Sequence, residues 1–269
     1  MPDKEAMMLR LAVFALTALG LAAADPKVLT RAHAHNDYSH ARPLAEALER
    51  GFGSVEADIW LVDGALLVAH DRKDVNPERT LASLYLDPLR ERVGKNGGRV
   101  YADGPPLVLL VDVKSEAVAT YAVLQAQLAS YAPMLTTYRE GHVEPRAVTV
   151  IVSGNRAQPE MAAQTVRHAF VDGRAIDLES NPPATLVPWV SENWQKVFPW
   201  RWEGPMPAET RVVLAAWIAR AHGQGRRVRF WNTPDRPAVW QALSQAGVDF
   251  IGTDDLAGLQ QFLAVGRTR

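Results

Sequence analysis

Ser54-Val55-Glu56-Ala57-Asp58-Ile59-Trp60, continuing through Leu61-Val62-Asp63-Gly64-Ala65-Leu66-Leu67-Val68 to His70-Asp71, is the stretch on which the reading of this chain turns. Residues two apart on a strand point the same way, so Glu56 and Asp58 share one face and Val55, Ala57 and Ile59 the other. Two acids side by side repel. At a buried strand end they shift each other's pKa, or one stays protonated, unless a cation neutralises them. The plainer alternative is a strand end whose acids reach solvent or pair with arginines, and Glu-Ala-Asp alone leaves both open.

Asp63-Gly64 between two apolar runs is a strong signal for a tight hairpin. Folding back there brings His70 level with Ala57, within about 5 to 8 Å of the acidic pair. Ideal pairing puts His70 on the Ala57 face, so a bulge or a lengthened turn is needed to swing it inward. His33-Ala34-His35-Asn36-Asp37-Tyr38 supplies further imidazoles at the end of an earlier apolar run.

Outward from this stretch, short β-rich runs alternate with helix-patterned segments, which predicts an α/β fold with a mostly parallel sheet. Candidate strands are 27–34, 53–60, 107–113, 147–152, 174–178, 185–190, 227–231 and 249–253. Candidate helices include Pro43–Arg50, Glu116–Tyr131, Pro159–His168, Ala208–His222, Pro237–Gln245 and Leu256–Leu263. Val108-Leu109-Leu110-Val111 and Val148-Thr149-Val150-Ile151-Val152 read as strands buried on both faces. Almost every candidate strand ends in polar residues: His33/His35, Glu56/Asp58, Asp112/Lys114, Ser153/Asn155, Ser191, Asn232/Asp235 and Asp254/Asp255. Parallel barrels carry their chemistry on that rim, although Asn, Asp and Ser there also cap the following helices. With no internal repeat or linker, the expectation is one TIM-like (β/α)₈ barrel over residues 25–269.

Residues 1–24 combine Lys4 and Arg10, the apolar run Leu11–Leu21 and Ala22-Ala23-Ala24, the pattern of a secretory signal peptide. The run is shorter than the ~20 residues that span hydrocarbon. The expectation is an exported protein, periplasmic or secreted, beginning near Asp25 and making no stable membrane insertion once the leader is removed. With no cysteine in 269 residues there is no disulfide framework and no thiolate metal site. A net charge of −1 argues against a nucleic-acid binder. A monomer is expected.

The order His…Glu-x-Asp…His-Asp, Val111-Asp112-Val113-Lys114, Trp231-Asn232-Thr233-Pro234-Asp235 and Gly247-Val248-Asp249-Phe250-Ile251-Gly252-Thr253-Asp254-Asp255-Leu256 resembles the superfamily of glycerophosphodiester phosphodiesterases and phosphatidylinositol-specific phospholipases C. His35-Asn36-Asp37-Tyr38, Thr80-Leu81…Leu84-Tyr85-Leu86-Asp87-Pro88-Leu89 and Arg229-Phe230-Trp231 look most like its branch named after "altered inheritance of mitochondria" proteins. The resemblance implies a TIM-like barrel with Glu56, Asp58 and Asp112 holding one divalent cation, Mg²⁺ or Ca²⁺. It also implies His35 and His70 as proton carriers and Lys114 as a phosphate contact. Asn36 stands where the commoner pattern has arginine, which puts phosphate binding there in doubt and leaves the choice between His33 and His35 open; Asn-Asp-Tyr after His35 favours the latter.

Such groups suit a phosphodiester, whose cleavage needs charge neutralised on the phosphoryl oxygens, a nucleophile deprotonated and a leaving oxygen protonated. Carboxylates suit a hard cation acting as a Lewis acid, and imidazoles titrate near neutrality. Taking His35 as base and His70 as acid, a labelling that can be reversed, gives a phosphoric diester hydrolase acting on a small phosphodiester, a lysophospholipid or a phospholipid. The nucleophile is water or a substrate hydroxyl. Asp71 is either an orienter of His70 or a turn residue, and Asp37 and Asp254 are further rim candidates. Trp231 with Asn232 is a candidate substrate contact. Trp189, Trp194, Trp200 and Trp202 form either an apolar wall at the rim or loop packing. His142, His168 and His222 read as structural or solvated. One rival is a PHP- or amidohydrolase-like binuclear metal site on His33-x-His35, with Ser39 completing the motif. The other is a barrel that binds a phosphorylated ligand or lipid without turning it over.

Overall fold

Nearly continuous apolar runs cannot present one face to water, and here they are buried on both by closing into a ring with helices outside. The structure, a computed structural model, describes residues 26–265, so the expected leader at 1–24 lies outside the described residues. The ring consists of β1 (Leu29–Ala34), β2 (Phe52–Val62), β3 (Leu107–Val113), β4 (Val148–Gly154), β5 (Ala169–Gly173), β6 (Trp189–Asn193), β7 (Arg227–Trp231) and β8 (Phe250–Thr253). Each strand pairs in parallel with the next, and β1 pairs with both β2 and β8, closing the barrel. Helices include Ala117–Ala129, Ala208–Gly223, Pro237–Ala246 and Leu256–Val265.

Strand alternation divides the apolar residues into two cores. Outward-facing Val55, Ala57 and Ile59 join the large cluster beneath the helices. Inward-facing Val108, Leu110, Ile151, Phe170, Trp189 and Phe250 form a separate plug in the lower barrel, where the Trp189 and Phe250 rings stack at 3.9 Å. Further up the same inward faces the residues become polar: Glu56 and Asp58 on β2, Asp112 on β3, Ser153 on β4, Asp172 on β5 and Arg229 on β7. Strand register sets Asp58 directly beside Asp112, and Asp112 beside Ser153.

The hairpin forms as read. Asp63 and Gly64 take φ of +49° and +80°, the left-handed pair of a two-residue turn, and Ile59 faces Val68 in the antiparallel ladder. That ladder ends at Val68. His70 is therefore released from the pleat, and no bulge is needed to turn it toward the acids. The Trp60 indole N–H, 3.1 Å from the Ala69 carbonyl, and the Ala69 N–H, 3.1 Å from the Asp58 carbonyl, fix where the chain leaves.

Two strands sit elsewhere than the sequence suggests. The fifth is Ala169–Gly173, whereas 174–178 falls mostly within the short helix Ala175–Ser180. Only Phe170 and Asp172 of that strand face inward, so its apolar signal is brief. The sixth begins at Trp189, just after Pro188, a residue with no N–H to give a ladder, so the apolar run at 185–187 is approach rather than strand. The expected helix 159–168 stops at Ala163, and Val166–Arg167 joins a three-stranded sheet with Thr137–Arg139 and His142–Glu144. The helix Asp87–Lys95, absent from the sequence reading, follows a π-helical turn at Ala82–Leu86.

A Cβ added at Gly64 meets nothing within 4 Å, so its cost is backbone strain alone. Gly64→Ala is expected to destabilise by about 1 to 2 kcal/mol, read as a lower Tm in thermal melts, with Gly64→Asn recovering most of the loss.

Candidate active site

Ligand atoms of Glu56, Asp58 and Asp112 lie within 4.8 Å of one another on adjoining strands at the barrel mouth. Gly154 makes room for this: a Cβ there would lie 1.9 Å from Asp112 Oδ1. Lys114 Nζ donates to Asp58 Oδ2 at 3.0 Å and to Asp112 Oδ2 at 3.2 Å. Arg229 Nη2 donates to Glu56 Oε2 at 2.7 Å. Among the described residues, Asp58 Oδ1 and Asp112 Oδ1 are buried without a hydrogen-bond partner. Buried carboxylate oxygens are normally paired, so this is a donor set fitted to a hard divalent cation.

The two histidines at the end of β1 separate clearly: His33 lies within the strand and His35 just past it. His33 is fully buried, with Nε2 2.9 Å from Glu56 Oε2 and Nδ1 2.8 Å from Ser54 Oγ. Burial and the nearby Arg229 push its pKa down to about 4. As a neutral imidazole it donates from Nε2 to Glu56 and accepts from Ser54 at Nδ1, so both nitrogens are engaged. This argues against a His33-x-His35 metal pair. His35 lies at the rim, its side chain 35% exposed, with Nδ1 2.8 Å from Asp254 Oδ1. Burial opposes its charged form, but the bond to Asp254 and the charge of Glu56 outweigh it and raise its pKa. His70, 64% exposed, sets Nδ1 3.0 Å from Asp58 Oδ2 and 3.1 Å from the Tyr38 hydroxyl.

Burial resists ionisation of every acid in the cluster. At Glu56 the Arg229 guanidinium and the bond from His33 overcome it and hold the carboxyl well below the usual range. Asp58 is raised by burial and by the Glu56 charge. Asp112, where Lys114 offsets burial only in part, is pushed up to about 6. Burial disfavours the Lys114 ammonium, yet the two aspartates raise it further.

Other sequence candidates sit apart from the acids. Asp37 points into the protein, accepting from the Leu44 N–H at 2.6 Å and from the Tyr85 hydroxyl at 2.9 Å, and so braces the loop after β1. Asp71 lies 3.8 Å from Lys73 in the turn after His70, the position of a turn residue. Asn36 donates to Asp254 Oδ1 at 3.3 Å, and its Oδ1 is 2.7 Å from the Tyr38 hydroxyl. Trp231 lies beneath the Arg174 guanidinium, 4.9 Å from its ring centre, and Asn232 bonds Asn193 and Gln195. Trp194 is fully buried against Phe198, Trp200, Trp202 and Phe230, which makes the tryptophan-rich segment loop packing, and Trp189 belongs to the inner plug. His168 bonds Thr137, and His222 bonds Asp249. Arg229 and Tyr38, which the sequence offers within motifs but not as site candidates, belong to the cluster. Arg229 carried a signal, a charge two residues before Trp231 in an apolar strand; Tyr38, known only as part of a motif, carried none that pointed to Asp58.

A domain described as AIM6-like phosphodiesterase matches residues 25–172. The chain belongs to that family. Its matched span contains His35, Glu56, Asp58, His70, Asp112 and Lys114, and residues 227–257, with Arg229 and Asp254, match the glycerophosphoryl diester phosphodiesterase family. "Altered inheritance of mitochondria protein 6" of Eremothecium gossypii is 30% identical, over 88% of this chain and 70% of its own. The homologue from Arthroderma benhamiae is 28% identical over 83% and 81%. Among solved structures, a glycerophosphodiester phosphodiesterase from Parabacteroides distasonis aligns with a TM-score of 0.55 at 17% identity, covering 90% of this chain and 100% of that one. A phosphodiesterase from Oleispira antarctica, in complex with the product sn-glycerol-3-phosphate, gives 0.51 at 14%, covering 90% and 97%. At those identities the two structures establish the shared barrel fold.

Because the folded state holds a proton on Asp112 that the unfolded chain releases, stability from this group falls as pH rises from about 4 to about 6. In EDTA at neutral pH, Asp112→Asn is expected to be more stable than the parent by roughly 1 to 3 kcal/mol. The gain should vanish below about pH 4 in denaturant titrations.

Proposed function

We propose that the protein is an exported, metal-dependent phosphodiesterase that cleaves glycerophosphodiester- or phospholipid-type substrates. The observation that carries this reading is a carboxylate triad with two unpartnered oxygens, flanked by two imidazoles each tied to a carboxylate through Nδ1. The leader-like residues 1–24 support export.

Glu56, Asp58 and Asp112 would hold one Mg²⁺ or Ca²⁺, which supplies Lewis-acid polarisation of a phosphoryl oxygen. Three carboxylates set against Lys114, Arg229 and a dication leave one net positive charge, matched to the single negative charge of a diester. Lys114 adds an ammonium donor beside the acids, available to a phosphoryl oxygen. Nδ1–H of His35 donates to Asp254 and that of His70 to Asp58, so each ring has its Nε2 lone pair free for proton transfer. One imidazole takes the proton of the nucleophile, water or a substrate hydroxyl, as its oxygen bonds to phosphorus. The other, in its imidazolium form, gives a proton to the alcohol oxygen as that P–O bond breaks. His35, with the raised pKa, can exchange these roles with His70. Asn36 commits its amide to Asp254 and Tyr38, so phosphate neutralisation rests on the cation and Lys114.

After EDTA treatment, hydrolysis of a chromogenic phosphodiester should return with Mg²⁺ or Ca²⁺, and Glu56→Gln and His35→Ala should each lower it by about 10² to 10⁴. Rescue by Zn²⁺ alone would point to a different metal chemistry. No turnover with any cation, across substrates including lysophospholipids, would make this a binding barrel.

A further inference from the structure

His70 is the most loosely mounted of the groups at the mouth. It stands beyond the end of the hairpin ladder with its side chain 64% exposed, and its ring makes hydrogen bonds through Nδ1 to two atoms, Asp58 Oδ2 and the Tyr38 oxygen. Tyr38 is its opposite. The residue is 5% exposed, and its backbone carbonyl accepts from Arg79 Nη2 at 2.6 Å. Its hydroxyl lies 2.7 Å from Asp58 Oδ2, 2.7 Å from Asn36 Oδ1 and 3.1 Å from His70 Nδ1. Asn36 in turn donates to Asp254 Oδ1, the oxygen that holds His35. A continuous hydrogen-bonded chain therefore runs from His35 through Asp254, Asn36 and Tyr38 to His70.

We infer that Tyr38 is the positioning residue of this site, fixing the tautomer and direction of His70 and linking its placement to that of His35. The inference rests on the phosphodiesterase reading for its consequence in rate, but not for its structural content. A hydroxyl has one hydrogen. When Tyr38 gives it to Asp58 or Asn36, its oxygen can only accept from His70, which requires the proton on Nδ1 and leaves Nε2 as the lone pair facing out. A carboxylate that also serves a cation has less charge to offer an imidazole, whereas the tyrosine oxygen keeps its lone pair. Tyr38 thus holds the ring in one orientation whichever demand is made on Asp58. The left-handed backbone of Asn36, φ +49°, turns its amide between Asp254 and Tyr38, a conformation that asparagine tolerates better than most residues. This gives the residue after His35 a role that an arginine side chain would not fill.

Two readouts test this with Tyr38→Phe, which keeps the buried ring and removes the oxygen. The first needs no activity: two-bond ¹H–¹⁵N spectra with Mg²⁺ present, recorded above the titration that the His70 signals themselves show, with His70 assigned by the loss of its signals in His70→Gln. The parent should show the Nδ1–H tautomer for His70, and Tyr38→Phe a mixture of both. The second is kinetic: kcat should fall by about 10²-fold with KM changed less than about threefold, the signature of a misplaced proton carrier. Tyr38→Phe combined with Asn36→Ala should cost less than the product of the single effects. An unchanged His70 tautomer in a folded Tyr38→Phe protein would overturn the inference even if the parent is a good enzyme. A parent that never turns over would remove the phosphodiesterase reading, while the tautomer result would still decide the role of Tyr38.

Discussion

Three carboxylates on two neighbouring strands, Glu56 and Asp58 buried and Asp112 partly so, are the constraint on which the upper barrel is built. Left alone, such a group would protonate or push its strands apart. Arg229 reaches Glu56 from β7, His33 donates to it from β1, and Lys114 lies between the two aspartates. A glycine clears the way: Gly154 vacates the space taken by Asp112 Oδ1. The polar layer is affordable because the apolar plug beneath it closes the lower barrel.

This arrangement separates two kinds of polar residue at the mouth. Glu56 and Asp112 differ in ionisation because their neighbours differ, a full arginine and an imidazole for one, a shared lysine for the other. Asp37 and Asp254 illustrate the same point outside the triad. One is turned inward to a backbone N–H and a tyrosine, and the other is aimed at an exposed imidazole, although both belong to rim motifs.

Much of this was legible in the sequence. Strand alternation placed Glu56 and Asp58 on one face and Asp63-Gly64 set the hairpin register, so the pairing of Ile59 with Val68 follows from the letters alone. The long apolar runs of β3 and β4 were equally plain. The fifth and sixth strands were not, because few of their residues are apolar and inward-facing and Pro188 interrupts the run that precedes β6. Proximity of His70 to the acids could be derived, but its direction could not, since it depends on where the ladder stops. The choice between His33 and His35 was likewise a question of depth, which alternation leaves undetermined: both face inward, and only one reaches the rim. Arg229 meets Glu56 across 173 positions, a distance over which periodicity carries no information.

The two imidazoles are mounted on mechanically different parts. His35 continues a wall strand and moves only if the barrel moves, whereas His70 rides on the return arm of a hairpin that projects from β2 and is tied to the wall through Ala69 and its own ring. The turn at Asp63-Gly64 therefore acts as an adjusting screw. Changes in its length or twist would alter the gap between the two rings while the acids, fixed in β2 and β3, stay in place. A lineage could retune the spacing of those rings by editing an exposed turn, at little risk to the buried charges that the barrel has to balance.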